Sequence, residues 1–72
     1  MLNGEPIGGP VVGTVTEALP DTHFMVDLGS AGTVHTYLSG RMRLHHIRVL
    51  VGDRVEVLLD QYGKRGRITK RL

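Results

Sequence analysis

Cysteine is missing from all 72 residues, which excludes disulfides, thiolate metal sites and a cysteine nucleophile. An unstapled domain of this size suits a reducing compartment. Long apolar runs are missing too. Val49-Leu50-Val51 is as long as any, far short of the roughly 20 residues that a membrane-crossing helix needs. Residues 1–10 have neither the basic start nor the apolar run of a signal peptide. A cytoplasmic protein with no membrane partner is expected. Aromatic residues stop at Phe24, Tyr37 and Tyr62, too few for a surface that holds its ligand chiefly by stacking. Lysine and arginine are absent from residues 1–40.

That last absence makes the charge lopsided. Residues 1–40 carry Glu5, Glu17, Asp21 and Asp27, giving −4. Residues 41–72 carry all nine Lys and Arg against Asp53, Glu56 and Asp60, giving +6 and the net charge of +2. Such asymmetry within one small chain suggests a polyanionic partner. A solvated basic surface is the plainer alternative. Seven of the nine cations are arginine, whose planar fork binds phosphate bidentately and stacks on bases. That bias favours structured RNA recognised by shape and phosphate.

What is present in quantity is period-two alternation, the mark of half-buried strands. Phe24, Val26 and Leu28 alternate with more polar residues, as do Val55, Val57 and Leu59. The β-branched runs 11–16 and 33–38 and a short segment at 66–71, with Ile68 inward, complete five expected strands. If Phe24, Val26 and Leu28 face the core, so do Val34, Thr36 and Leu38. His23, Met25, Asp27, His35 and Tyr37 are then left on the outside.

Turn chemistry separates the strands. Leu19-Pro20-Asp21-Thr22 has the composition of a type I turn, 29–32 reads as a hairpin loop and 51–53 as a tight turn. Residues 39–44 suit a single helical turn. Gly13 fits a bend or bulge in the first strand. The expectation is an all-β chain: a five-stranded antiparallel barrel with a short helical turn between strands three and four, closed because closure removes exposed edges. Residues 1–9, with three glycines and a proline, are expected to be a flexible leader to a single domain at 10–72.

Candidate chemistry is sparse. His45 and His46 are adjacent and would point apart in a strand. His23 and His35 share a face, but no carboxylate or cysteine set completes a ligand sphere. Ser30 and Ser39 sit in turns, and the glycines follow no phosphate-loop pattern. No metal, no cofactor and no catalysis are expected.

Certain segments resemble a known family. Gly13-Thr14-Val15, Leu19-Pro20-Asp21-Thr22-His23-Phe24, Ser39-Gly40-Arg41-Met42-Arg43, the run Ile47 through Val55, Tyr62 and Gly66-Arg67-Ile68 are together similar to bacterial translation initiation factor one. The resemblance runs collinearly over about residues 12–72. It implies an S1-like OB-fold barrel that binds the small ribosomal subunit at the decoding (aminoacyl) site. It also implies contact with ribosomal RNA, a neighbouring ribosomal protein and the other initiation factors, as a monomer.

Carried over by position, the family's basic loop falls on Arg41, Arg43 and Arg48, and the end of its last hairpin on Lys64, Arg65 and Arg67. His35, Tyr37 and His46 are candidates to stack on bases; His46 stands where the family often has an aromatic. The family's short charged leader has no counterpart in the Gly/Pro-rich residues 1–11, and the 62–66 loop is slightly shorter than the family's. The alternatives are a general single-stranded RNA chaperone and a protein-interaction barrel whose basic side meets an acidic protein.

Overall fold

A computed structural model describes residues 9–72. The expected leader at 1–9 therefore lies, apart from Gly9, outside the described residues. The elements are β1 (Val11–Leu19), a 3₁₀ turn at Pro20–Thr22, β2 (His23–Asp27), a second 3₁₀ turn at Gly29–Ala31, β3 (Thr33–Leu38), α1 (Gly40–Leu44), β4 (Arg54–Leu59) and β5 (Arg65–Arg71). The strands close into one barrel in the order β1-β2-β3-β5-β4.

Alternation decides what goes inside. Phe24 and Val26 of β2, Val34 and Leu38 of β3, Val55 and Val57 of β4 and Ile68 of β5 are all buried, joined by Val15 of β1. The hairpin register pairs Phe24 with Thr36 and Val26 with Val34, so both strands put the expected residues inside. Thr36 is the one buried polar residue among those described, and its hydroxyl donates to the Phe24 carbonyl at 2.8 Å. That bond offsets the cost of burying the hydroxyl. Leu28 and Leu59 are only half-buried and pack at the margin of the core.

The barrel is not purely antiparallel. Strands β3 and β5 run parallel, pairing His35 with Arg65, Thr36 with Gly66, Tyr37 with Arg67 and Leu38 with Ile68. The chain leaves β3 through α1 and a loop and enters β4. It then turns back into β5, which must run alongside β3 to close the cylinder. Alternation says which side of a strand is buried and nothing about its neighbour, so the pairing had no signature in the sequence.

Two local expectations also change. The bulge in β1 falls between Val15 and Glu17, not at Gly13. A Cβ on Gly13 would stand 2.5 Å from Val26 Cγ1 and 2.7 Å from the Asp27 carbonyl oxygen, so Gly13 is needed where β1 packs closely against the end of β2. The 20–22 turn is not type I: Asp21 (φ 63°) and Thr22 (φ 60°) are both left-handed. Consecutive left-handed residues match the right-handed twist of the strands they join. A β-branched threonine sits badly there.

Candidate nucleic-acid interface

The segment after β3 is short and irregular, yet firmly held. Ser39 caps α1, its Oγ accepting the Met42 N–H at 3.3 Å. Met42 is the buried residue of the helix and plugs one end of the core, with Val49 beyond it. Because Met42 points in, its neighbours Arg41 and Arg43 are left exposed on either side. The turn into β4 is fixed by Asp53, whose Oδ2 accepts the Leu50 N–H at 2.9 Å.

Two grooves flank this anchored loop. One has an apolar floor of Phe24, Leu38, Met42 and Val49, with Arg43, His46 and Arg48 at its edge. The other brings Arg41 and His45 beside Lys70 and Arg71 of β5. Arg71 Nη1 also donates to the Arg48 carbonyl at 3.0 Å, tying the strand end to the loop. The parallel course of β3 and β5 explains the meeting: the ends of both strands lie together, with the Ser39 N–H on the Ile68 carbonyl at 2.9 Å. Arg41, Arg43 and Arg48 thus lie around one end of the barrel, Arg43 and Arg48 at one groove and Arg41 at the other. His45 and His46 enter different grooves.

The second cluster lies on the face of the barrel. Lys64 sits in the β4–β5 turn, where Asp60 Oδ1 accepts the backbone N–H groups of Tyr62 at 3.1 Å and Lys64 at 3.0 Å. From there β5 alternates Gly66 and Ile68 inward with Arg65 and Arg67 outward. The parallel register sets Arg65 beside His35 and Arg67 beside Tyr37. Two expectations that were separate in the sequence, a basic hairpin and a stacking pair, become one surface. His46 does not join it and belongs to the loop groove.

His23 was weighed only as half of a metal pair and was not among the candidates for RNA contact. Its Nδ1 lies 3.0 Å from Nε2 of His35, and its ring centroid is 6.4 Å from that of Tyr37. The alternation that placed His23 and His35 on one face was the available signal. Among the described residues no group of three or more His, Cys, Asp and Glu could hold a metal ion, and no helix there is long and apolar enough to cross a membrane.

Comparison with known proteins gives this surface its context. Residues 5–72 match the family described as translation initiation factor 1A / IF-1. The solution structure of translation initiation factor one from the Wolbachia endosymbiont strain TRS of Brugia malayi is similar, with 39% identity and a TM-score of 0.73. That match covers 88% of this chain and 76% of the other. The crystal structure of YjeQ from Thermotoga maritima is similar at 30% identity and a TM-score of 0.71, over 88% of this chain but only 22% of that one. The barrel therefore also corresponds to one part of a longer protein. A five-stranded barrel with its helix between β3 and β4 is an OB fold, and with the family matched over nearly its whole length the chain belongs to the translation initiation factor 1A / IF-1 family, in its bacterial form.

Proposed function

We propose that the chain binds the small ribosomal subunit at the decoding (aminoacyl) site, keeps tRNA out of it, and assists the other initiation factors there. It does so as a cytoplasmic monomer without catalysis, by occupying space. Arg41, Arg43 and Arg48 at the barrel end, and Lys64, Arg65 and Arg67 along β5, meet ribosomal RNA phosphates. A ribosomal protein beside the decoding site completes the contact.

One observation carries this reading. Cations from two distant stretches of sequence converge on the end and one face of a rigid barrel. A folded RNA offers phosphates at fixed positions, and a rigid set of arginines suits that target. The general single-strand chaperone is less well supported. Phe24 is committed to the core, leaving Tyr37 and Tyr62, beside the histidines, as the rings free to stack among the described residues. Residues 1–9 act as a leader to the barrel at 10–72, and deleting them should shift the melting midpoint only slightly.

The test is binding to purified small subunits over a range of salt. Affinity should fall steeply and linearly on logarithmic axes as salt rises, through counterion release. Binding that ignores salt, or that is equally tight to generic single-stranded RNA, would refute the reading.

A further inference from the structure

We propose that His23 and His35, with Arg65 and Arg67, form a phosphate-binding site on the β3–β5 face that takes up one proton when RNA binds. The inference rests on the RNA-binding reading above and adds a residue set and a pH dependence to it.

The geometry begins with the contact between His23 Nδ1 and His35 Nε2 at 3.0 Å. With both rings neutral, one of these nitrogens donates and the other accepts. The two remaining nitrogens, Nε2 of His23 and Nδ1 of His35, are then unlike: one carries hydrogen and the other is a bare acceptor. A bare acceptor repels a phosphate oxygen. Adding one proton at that nitrogen makes both outer nitrogens donors and leaves the inner hydrogen bond intact, now strengthened by charge. A second proton would need two N–H groups facing each other at 3.0 Å. The pair therefore has one useful protonation step.

The surroundings link that step to an anion. Across β5, Arg65 stands beside His35 and Arg67 beside Tyr37. Across β1, Leu19 faces His23 and Glu17 faces Met25, and Met25 in turn faces His35. The preceding turn holds Asp21 and Thr22. Glu17 lies at the far end of the row from Arg65, separated from it by Met25 and His35, and from the end of β4 Asp60 lines the groove shared by Tyr37, Arg65 and Arg67. A phosphate meeting Arg65 and Arg67 would bring its negative charge beside the pair, where the added N–H can donate to it. A dication is a poor fit beside the arginines, and a third protein ligand is lacking among the described residues.

Linkage fixes the sign. If the complex holds more protons than its free partners, affinity falls as pH rises, across the range of about pH 5 to 8 where histidine changes charge. The experiment measures binding of purified small subunits from pH 6 to 8 at constant salt. It compares the parent with His23→Gln/His35→Gln, checked for folding by circular dichroism. The parent should lose affinity with pH more steeply than the double variant, the difference approaching about tenfold per pH unit where steepest, the limit for one proton. In parallel, nitrogen NMR of the parent bound to a decoding-site RNA hairpin at pH 7 should show the bare outer nitrogen converted to N–H. Equal slopes in parent and variant, or unchanged ring nitrogens on binding, would overturn the proton-linked site and leave the RNA reading standing. No binding of the parent at any pH would overturn both.

Discussion

The outer surface of the barrel has two faces made by the same rule and furnished differently. On the β1–β4 side the outward rows pair Val12 with Glu56 and Thr14 with Arg54. Apolar, acidic, neutral and basic groups alternate there, and their charges cancel. On the β3–β5 side the outward rows pair His35 with Arg65 and Tyr37 with Arg67, and the basic loop lies at their end. Inside, the two sides are alike: Val55 and Val57 on one, Val34 and Ile68 on the other, all β-branched and buried. Folding constrains the inward residue of each strand and leaves the outward one to function. A substitution can therefore be assigned by side: an inward change acts on stability, and an outward change on binding, but only on one of the two faces.

The largest effect should come from breaking what the faces share. Val57 is fully buried, so Val57→Asp places an unpaired carboxylate in the core at a cost of several kcal/mol. A domain this small has little reserve, and circular dichroism should find it unfolded. A variant that melts like the parent would contradict the barrel core.

Next come the two glycines at close approaches. A Cβ on Gly13 meets Val26, Leu28 and the Asp27 backbone, and one on Gly66 collides with Val57 Cγ1. Gly13→Ala and Gly66→Ala should each destabilise by about 1–3 kcal/mol through overpacking. The melting midpoint is the readout, and Gly13→Ala should suffer more because a backbone atom cannot move aside as a side chain can.

The comparison of faces is tested by charge reversal. Arg43→Glu at the barrel end and Arg67→Glu on the β3–β5 face should each cost on the order of 1–3 kcal/mol of small-subunit binding, because a charge-assisted phosphate contact becomes a repulsion. Arg54→Glu, on the β1–β4 face, should cost less, and all three should melt within a few degrees of the parent. If Arg54→Glu weakens binding most, the binding face has been assigned to the wrong side.

The smallest effect concerns the turn between β1 and β2. Thr22 is left-handed at φ 60°, a conformation that costs a branched residue roughly 1–2 kcal/mol. Thr22→Asn relieves part of it, since asparagine tolerates this region. A rise of a few degrees in the melting midpoint is expected. No rise would mean that the turn is not strained.

Much of this was legible from the chain. Alternation located Phe24, Val26, Val55, Val57 and Ile68 inside, and the hairpin register followed from Phe24 and Val34. The composition of residues 39–44 marked the helical turn, and the family was legible in the spacing of its segments. What was not legible is of one kind. Met42 and Val49 are core residues from an irregular loop, where no period distinguishes an inward side chain from an outward one. The bulge at Val15–Glu17 and the left-handed Asp21 and Thr22 are set by how the strands must bend to close the barrel. The parallel β3–β5 pairing joins residues about thirty apart, and it alone brings Arg65 and Arg67 to His35 and Tyr37. Local pattern determines faces; closure determines neighbours, and the candidate site is made of neighbours.

The most direct test of the central claim is a chemical footprint of small-subunit RNA with and without the protein, repeated with aminoacyl-site tRNA as competitor. Protection of decoding-site nucleotides is expected, lost with Arg43→Glu, kept with Arg54→Glu, and mutually exclusive with the tRNA. Protection elsewhere on the subunit, or simultaneous occupancy with the tRNA, would contradict the claim.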